Sequence, residues 1–197
     1  MKRLFLIRHG MTEPLKKRMY YGATDVPLLP EGIDQLRLLR QEGGYPDLQD
    51  KQLFSSGMLR AEQTLQCLYD DAPHGQLPEF REMSFGVFEM KTYEDLKDDP
   101  VYQAWIGSGN YFENQSPGGE SGAIMAKRVG AALELLLQEE KDTVLVCHGG
   151  TILVIMSILF PGQKENLFHW QPPVGFGYEI DLENKTYTML PKAWPIK

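Results

Sequence analysis

Residues 4–10, Leu4-Phe5-Leu6-Ile7-Arg8-His9-Gly10, and residues 144–150, Val144-Leu145-Val146-Cys147-His148-Gly149-Gly150, follow one pattern. Each is a short, unbroken apolar run that ends at once in polar residues and glycine. Runs of this length read as strands buried on both faces, with a loop at the carboxyl end. Outward from them, Ile33, Leu36 and Leu39 recur at helical spacing after Pro30, until Gly43-Gly44 ends the pattern. Lys51-Gln52-Leu53-Phe54-Ser55 is another short strand. Ser56 stands where it could cap the helix carrying Leu59, Ala61, Thr64, Leu65 and Leu68, which stops near Pro73. From Glu120, the residues Met125, Val129, Ala132, Leu133, Leu136 and Leu137 make an apolar stripe on a long helix. An apolar helix follows Gly149-Gly150 and stops at Pro161-Gly162, and residues 177–182 and 186–190 flank Glu183-Asn184-Lys185 as a hairpin.

Strands alternating with helices predict an α/β domain with a mostly parallel central sheet, helices on both faces and an antiparallel C-terminal edge. Residues 11–29 show little period and read as an irregular loop. Residues 76–120 are mixed, with short helices expected around 93–96 and 101–105. Without repeat, linker or low-complexity stretch, residues 1–197 are expected to form one domain, with 76–120 as a lid or insertion over the site.

The chain has 197 residues, 42% hydrophobic and 24% charged, as an ordinary globular domain has. Its 20 bases and 27 acids leave a net charge of −7, the wrong sign for a general nucleic-acid or anionic-membrane binder. Two cysteines, Cys67 and Cys147, give no disulfide framework and fit a reducing compartment. Met1-Lys2-Arg3 before Leu4–Ile7 is too short for a signal peptide, and no window approaches the ~18 apolar residues of a membrane span. A cytoplasmic location is the expectation, and the oligomeric state stays open.

Three strand ends carry the chemistry: Arg8-His9-Gly10, Ser55-Ser56 with Arg60, and His148-Gly149-Gly150. In open parallel sheets the carboxyl ends of strands line one crevice. Two arginines and two histidines in one crevice suit an anion, since guanidinium forks and helix N-termini both match phosphoryl oxygens. Taken singly, His148 reads as a core histidine, Ser56 as a helix cap and Arg8-His9 as a surface pair. Their coincidence at three strand ends favours a site.

Leu6-Ile7-Arg8-His9-Gly10-Met11-Thr12-Glu13 resembles the Arg-His-Gly signature of the histidine phosphatase superfamily, the phosphoglycerate-mutase-like proteins. The resemblance continues in family order through Tyr21-Gly22, Asp25-Val26-Pro27-Leu28, Glu31-Gly32 and Gln35. It extends to residues 55–64 around Arg60, residues 81–89 around Glu82, Gly119-Glu120-Ser121, and Val146-Cys147-His148-Gly149-Gly150. It implies a three-layer sandwich and a metal-independent phosphomonoesterase acting on a small phosphorylated metabolite, without cofactor or metal. The size and motif set resemble the family's α-ribazole phosphatases and broad-specificity phosphatases. By this resemblance His9 is the nucleophile, attacking as a neutral imidazole whose other nitrogen donates to a carbonyl. Arg8, Arg60 and His148 grip the non-bridging oxygens, and Glu82 moves the proton, with Glu89 as its rival. Thr12, Gly22, Ser56 and Gly149 are expected substrate contacts. Two departures stand out: Pro14-Leu15 occupies the place of a family asparagine, and Leu29 that of a helix-capping threonine.

Competing readings are weighed on the same residues. A facial triad of two histidines and a glutamate could hold a metal, but two arginines in that crevice would repel a dication. A cysteine phosphatase needs an arginine six positions after its cysteine, where Leu153 stands after Cys147. A cofactor-dependent phosphoglycerate mutase needs basic residues to hold a bisphosphate, yet residues 98–126 contain neither Lys nor Arg. That stretch offers Tyr102, Trp105, Tyr111 and Phe112 instead, which suit either a partly apolar leaving group or plain core packing. A non-catalytic phospho-ligand binder would have no need of Glu82.

Overall fold

The structure is a computed structural model that describes residues 2–107, 109, 112–164 and 166–192. In chain order the elements are β1 (Arg3–Arg8), α1 (Glu13–Lys16), β2 (Met19–Tyr20), α2 (Pro30–Glu42), β3 (Gln52–Ser55), α3 (Leu59–Tyr69), β4 (Gly75–Gln76) and β5 (Lys91–Thr92). They continue with α4 (Tyr93–Leu96), α5 (Pro100–Gly107), α6 (Gly122–Gln138), β6 (Thr143–Cys147), α7 (Gly149–Leu159), β7 (Gly177–Asp181) and β8 (Thr186–Leu190).

Six strands form one sheet in the order β4-β3-β6-β1-β7-β8. β4, β3, β6 and β1 run parallel, and β7 and β8 add the antiparallel edge. The core explains the apolar runs. Side chains alternate across a strand, so β1 sends Leu4 and Leu6 to one face and Phe5 and Ile7 to the other. On the first face Leu145 and Cys147 join Met125, Val129 and Leu133 of α6 and Ile152 and Ile155 of α7. On the second, Val144 and Val146 meet Leu36 of α2 and Ala61, Leu65 and Leu68 of α3. Every residue of β6 is buried. Each such Val or Leu contributes about 1.5–3 kcal/mol relative to exposure, which accounts for the unbroken apolar runs at residues 4–7 and 144–147. This is the expected α/β three-layer sandwich with an antiparallel C-terminal edge.

Two local expectations need correction. Residues 11–29 are not all irregular: Glu13-Pro14 open the short helix α1, and β2 pairs antiparallel with β5. Ser56 is not the cap of α3. That helix begins at Leu59, whose amide is taken by Asp25 Oδ1 at 2.8 Å, a long-range cap that no local pattern announces. Leu29, as its apolar side chain requires, gives α2 no side-chain cap.

The lid aromatics also divide. Tyr102 and Trp105 are buried in a third cluster with Phe88 and Leu96, against Tyr20 and Phe85. The Tyr20 and Tyr102 hydroxyls meet at 2.6 Å, and Trp105 Nε1 donates to the Asn114 carbonyl at 3.1 Å. For these two the packing reading holds over substrate contact. Phe112 is half exposed, and Tyr111 lies outside the described residues.

Candidate active site

β1 and β6 are neighbours in register, with Arg8 opposite Cys147, so the residues that follow them emerge side by side. The His9 amide donates to the Cys147 carbonyl at 3.0 Å, which extends the ladder by one residue. His9 and His148 thereby stand with ring centroids 5.2 Å apart, both buried.

His9 Nδ1 lies 2.7 Å from the Gly10 carbonyl. A carbonyl only accepts, so Nδ1 carries the proton and Nε2 keeps its lone pair. Burial, then the positive charges of Arg60 and Arg8, hold the His9 pKa well below the ordinary histidine value, against a smaller opposing effect of the Gly10 bond. The neutral imidazole is the resting form.

Arg60 is buried in the first turn of α3. Its Nε donates to His148 Nδ1 at 3.2 Å, Nη1 to the Thr24 carbonyl at 3.0 Å and Nη2 to the Gly22 carbonyl at 2.8 Å. Because His148 Nδ1 accepts, its proton sits on Nε2, which faces Ser56 Oγ at 2.8 Å. Burial and then Arg60 keep His148 neutral as well, its pKa well below the usual value. Arg8 Nη1 donates to the Pro172 carbonyl at 2.7 Å, while its Nε is buried without a protein partner. Gly149 makes room for this side chain, since a Cβ there would lie 3.1 Å from Arg8 Cζ.

The two carboxylates play different parts. Glu82 receives the Met83 and Gly150 amides, one on each oxygen, both at 2.9 Å. Glu89 instead receives the amides of Gly22, Ala23, Thr24 and Phe85 and the Thr24 hydroxyl. Its burial acts to raise its pKa, but these hydrogen bonds outweigh that and leave it lowered. Glu89 is an ionised clamp on the loop that carries Arg60's acceptors.

Arg8, His9, Arg60, Glu82 and His148 are thus brought to one place, and the four expected substrate contacts lie around them. Thr12 donates its hydroxyl proton to Tyr21 at 2.8 Å, and the Gly22 amide is taken by Glu89, so neither group is an open donor. Ser56 still has its own hydroxyl proton to give. Gly22 matters for space: a Cβ there would lie 1.6 Å from the Met83 carbonyl oxygen. Gly22→Ala is therefore expected to lower stability by about 1–3 kcal/mol, as overpacking does, and to displace the Arg60 anchor. Urea denaturation beside the wild type measures it, and an unchanged midpoint contradicts it.

Tyr21 joins the site although its sequence position alone gave it no role. Its ring sits 5.0 Å from the Arg60 guanidinium carbon, edge-on to His9 at 6.4 Å. Only its place beside Gly22 in the quoted loop hinted at this. Cys147 is fully buried, and burial raises its thiol pKa far above the usual value, which suits a core residue and not a nucleophile. Among the described residues, no three His, Cys, Asp or Glu side chains are grouped to hold a metal ion, and no helix is long and apolar enough to cross a membrane.

A sheet-end site with one buried and one partly buried guanidinium and two neutral imidazoles defines a phosphoryl-binding class, and comparison with known proteins places the chain within it. The chain belongs to the histidine phosphatase superfamily (branch 1), whose family model matches residues 4–191. It is a phosphatase, with a phosphoglycerate-mutase-like fold. It is 30% identical over 196 residues to the adenosylcobalamin/alpha-ribazole phosphatase of Escherichia coli K12, covering 95% of this chain and 93% of that protein. The Salmonella typhimurium protein of the same name is 28% identical, covering 91% and 90%. The crystal structure of the alpha-ribazole phosphatase from Shigella flexneri superposes with a TM-score of 0.81 at 28% identity, covering 95% of this chain and 94% of that one.

Proposed function

We propose that this chain hydrolyses a small phosphate monoester through a phosphohistidine on His9, without metal or cofactor. α-Ribazole phosphate is the first substrate to try, because that name recurs among its relatives. One observation carries the reading: His9 offers an unprotonated Nε2 beside the buried Arg60, the partly buried Arg8 and a second neutral imidazole. Phosphate monoesters resist water so strongly that rate enhancements reach ~10²¹, and a covalent intermediate divides that barrier in two.

In the first step the His9 Nε2 lone pair forms the N–P bond. The P–O bond breaks, its electron pair stays on the ester oxygen, and Glu82 supplies the proton that makes the alcohol. In the second, water attacks phosphorus, Glu82 takes its proton, and the N–P bond breaks to release phosphate and neutral His9. Arg8, Arg60 and His148 hold the three equatorial oxygens: the buried Arg8 Nε is left for one of them, and the His148 Nε2–H exchanges Ser56 Oγ for another when the ester binds. Fixed charge suits this reaction, whose catalysis is mainly positioning and electrostatics. Residues 76–120, which contribute Glu82 and the Glu89 clamp, form the lid of a single 1–197 domain.

The basic-free stretch 98–126 favours hydrolysis over a mutase, which must retain a bisphosphate while it turns. Chelator-treated protein is expected to cleave p-nitrophenyl phosphate and α-ribazole phosphate and to trap an acid-labile phosphoryl group on His9 after rapid quench. Activity that returns only with an added dication overturns the mechanism. Interconversion of monophosphoglycerates, stimulated by the bisphosphate, overturns the choice of phosphatase.

A further inference from the structure

Gly150 occupies the second position of α7, where a helix leaves its amide without an intrahelical acceptor. The residue before the helix, His148, caps nothing with its side chain, since its imidazole is committed to Arg60 and Ser56. The acceptor comes from far along the chain, as Glu82 Oε2 takes the Gly150 amide at 2.9 Å. The contact is also steric. A Cβ on Gly150 would stand 2.3 Å from Glu82 Oε1, 3.2 Å from its carboxyl carbon and 3.4 Å from Oε2. The carboxylate lies against the bare α-carbon. Its other oxygen receives the Met83 amide, so each carboxylate oxygen is held by one backbone N–H.

Glycine here is costly by ordinary helix rules. Gly150 is helical and its φ is not in the left-handed region, so alanine would fit the backbone and raise helix stability. What alanine would disturb is Glu82. We propose that Gly150 is the positioning residue of the proton-transfer carboxyl: its amide and its missing side chain together seat Glu82 on the first turn of α7. This rests on the phosphatase reading given above for Glu82. The seat ties the acid to the element that carries His148, so the proton donor keeps a set distance from the group that holds the phosphoryl oxygens.

The test exploits leaving groups. kcat/KM reports steps through phosphoryl transfer to His9, and a p-nitrophenolate leaves without a proton whereas an alkoxide does not. Misplacing a general acid forfeits part of a contribution of about 10²–10⁴. Gly150→Ala is therefore expected to lower kcat/KM for glycerol phosphate about 30-fold or more and for p-nitrophenyl phosphate less than about 3-fold, with a melting temperature equal to or above the wild type. In a Glu82→Gln background the same substitution is expected to add nothing, as non-additivity requires of residues acting as a unit. Equal losses on both esters, no loss on either, or a further loss in the Glu82→Gln background overturns the proposal. The Gly150 amide resonance of the otherwise unaltered protein tests the contact even where the alanine variant does not fold. It is expected to shift upfield and exchange faster in Glu82→Ala, and an unmoved resonance overturns the seat. Wild-type protein that cleaves neither ester would sink the phosphatase reading, while the amide shift would still report on the contact.

Discussion

His9→Ala is expected to lower turnover of p-nitrophenyl phosphate by about 10⁵-fold or more, the scale of losing a covalent nucleophile. The fold should persist, because the imidazole makes one hydrogen bond, to its own neighbour Gly10, and donates to no distant element. Circular dichroism and the melting temperature should match the wild type, and the acid-labile phosphoryl label should vanish. Label retained on the alanine variant would assign the nucleophile elsewhere.

The pH behaviour has a definite sign. Both imidazoles are buried and face guanidiniums, so their pKa values in the folded protein lie well below 6.5. Nitrogen chemical shifts of His9 and His148 are expected to stay those of neutral rings as pH falls through 6.5, and titration at or above 6.5 contradicts this. An unfolded chain takes up both protons near its ordinary value while the folded one does not. Stability is therefore fully present above that value and falls as pH drops below it, toward the depressed folded values.

Arg60→Met is the second large effect. Arg60 joins α3 to His148 and to the Gly22 and Thr24 carbonyls, so its position is determined from three sides. Removing a preorganised cation from a transferring phosphoryl group costs about 10³–10⁵-fold in comparable enzymes, and kcat/KM is expected to fall on that scale. Arg60→Lys keeps the charge but not the planar fork, and one ammonium cannot serve His148 and two carbonyls together. Its expected loss is about 10²-fold, the scale of losing one oriented donor. Affinity for inorganic phosphate, measured by calorimetry, should fall in the same order. Phosphate bound equally well by the methionine variant would remove Arg60 from the site.

The coincidence of charged residues at three strand ends made the site legible in the sequence. Arg8, His9, Arg60, Glu82 and His148 each sit in a motif whose order along the chain implies a shared crevice, and the geometry joins them. Between two glutamates seven residues apart, Glu82 was preferred over Glu89 only by its place in the family motif. Both lie in the same mixed segment, and nothing local distinguishes a proton carrier from a loop clamp. The structure shows Glu89 holding a loop, through backbone amides that come from residues 22–24 and 85. Ser56 misled for a related reason. Its sequence position is that of a cap, while its hydroxyl turns to a histidine 92 residues away.

Apolar runs too buried to admit a charge, helical stripes and terminal polar breaks are local properties of the chain, and they determined the layers, the parallel sheet and the edge from which the site projects. Tautomers, the seat of Glu82 on α7, the Asp25 cap and the packing of Tyr102 and Trp105 were decided only by tertiary structure. Each depends on which donor or ring arrives from a remote segment, and hydrogen-bond direction and close packing at that range leave no periodic trace in the residues themselves.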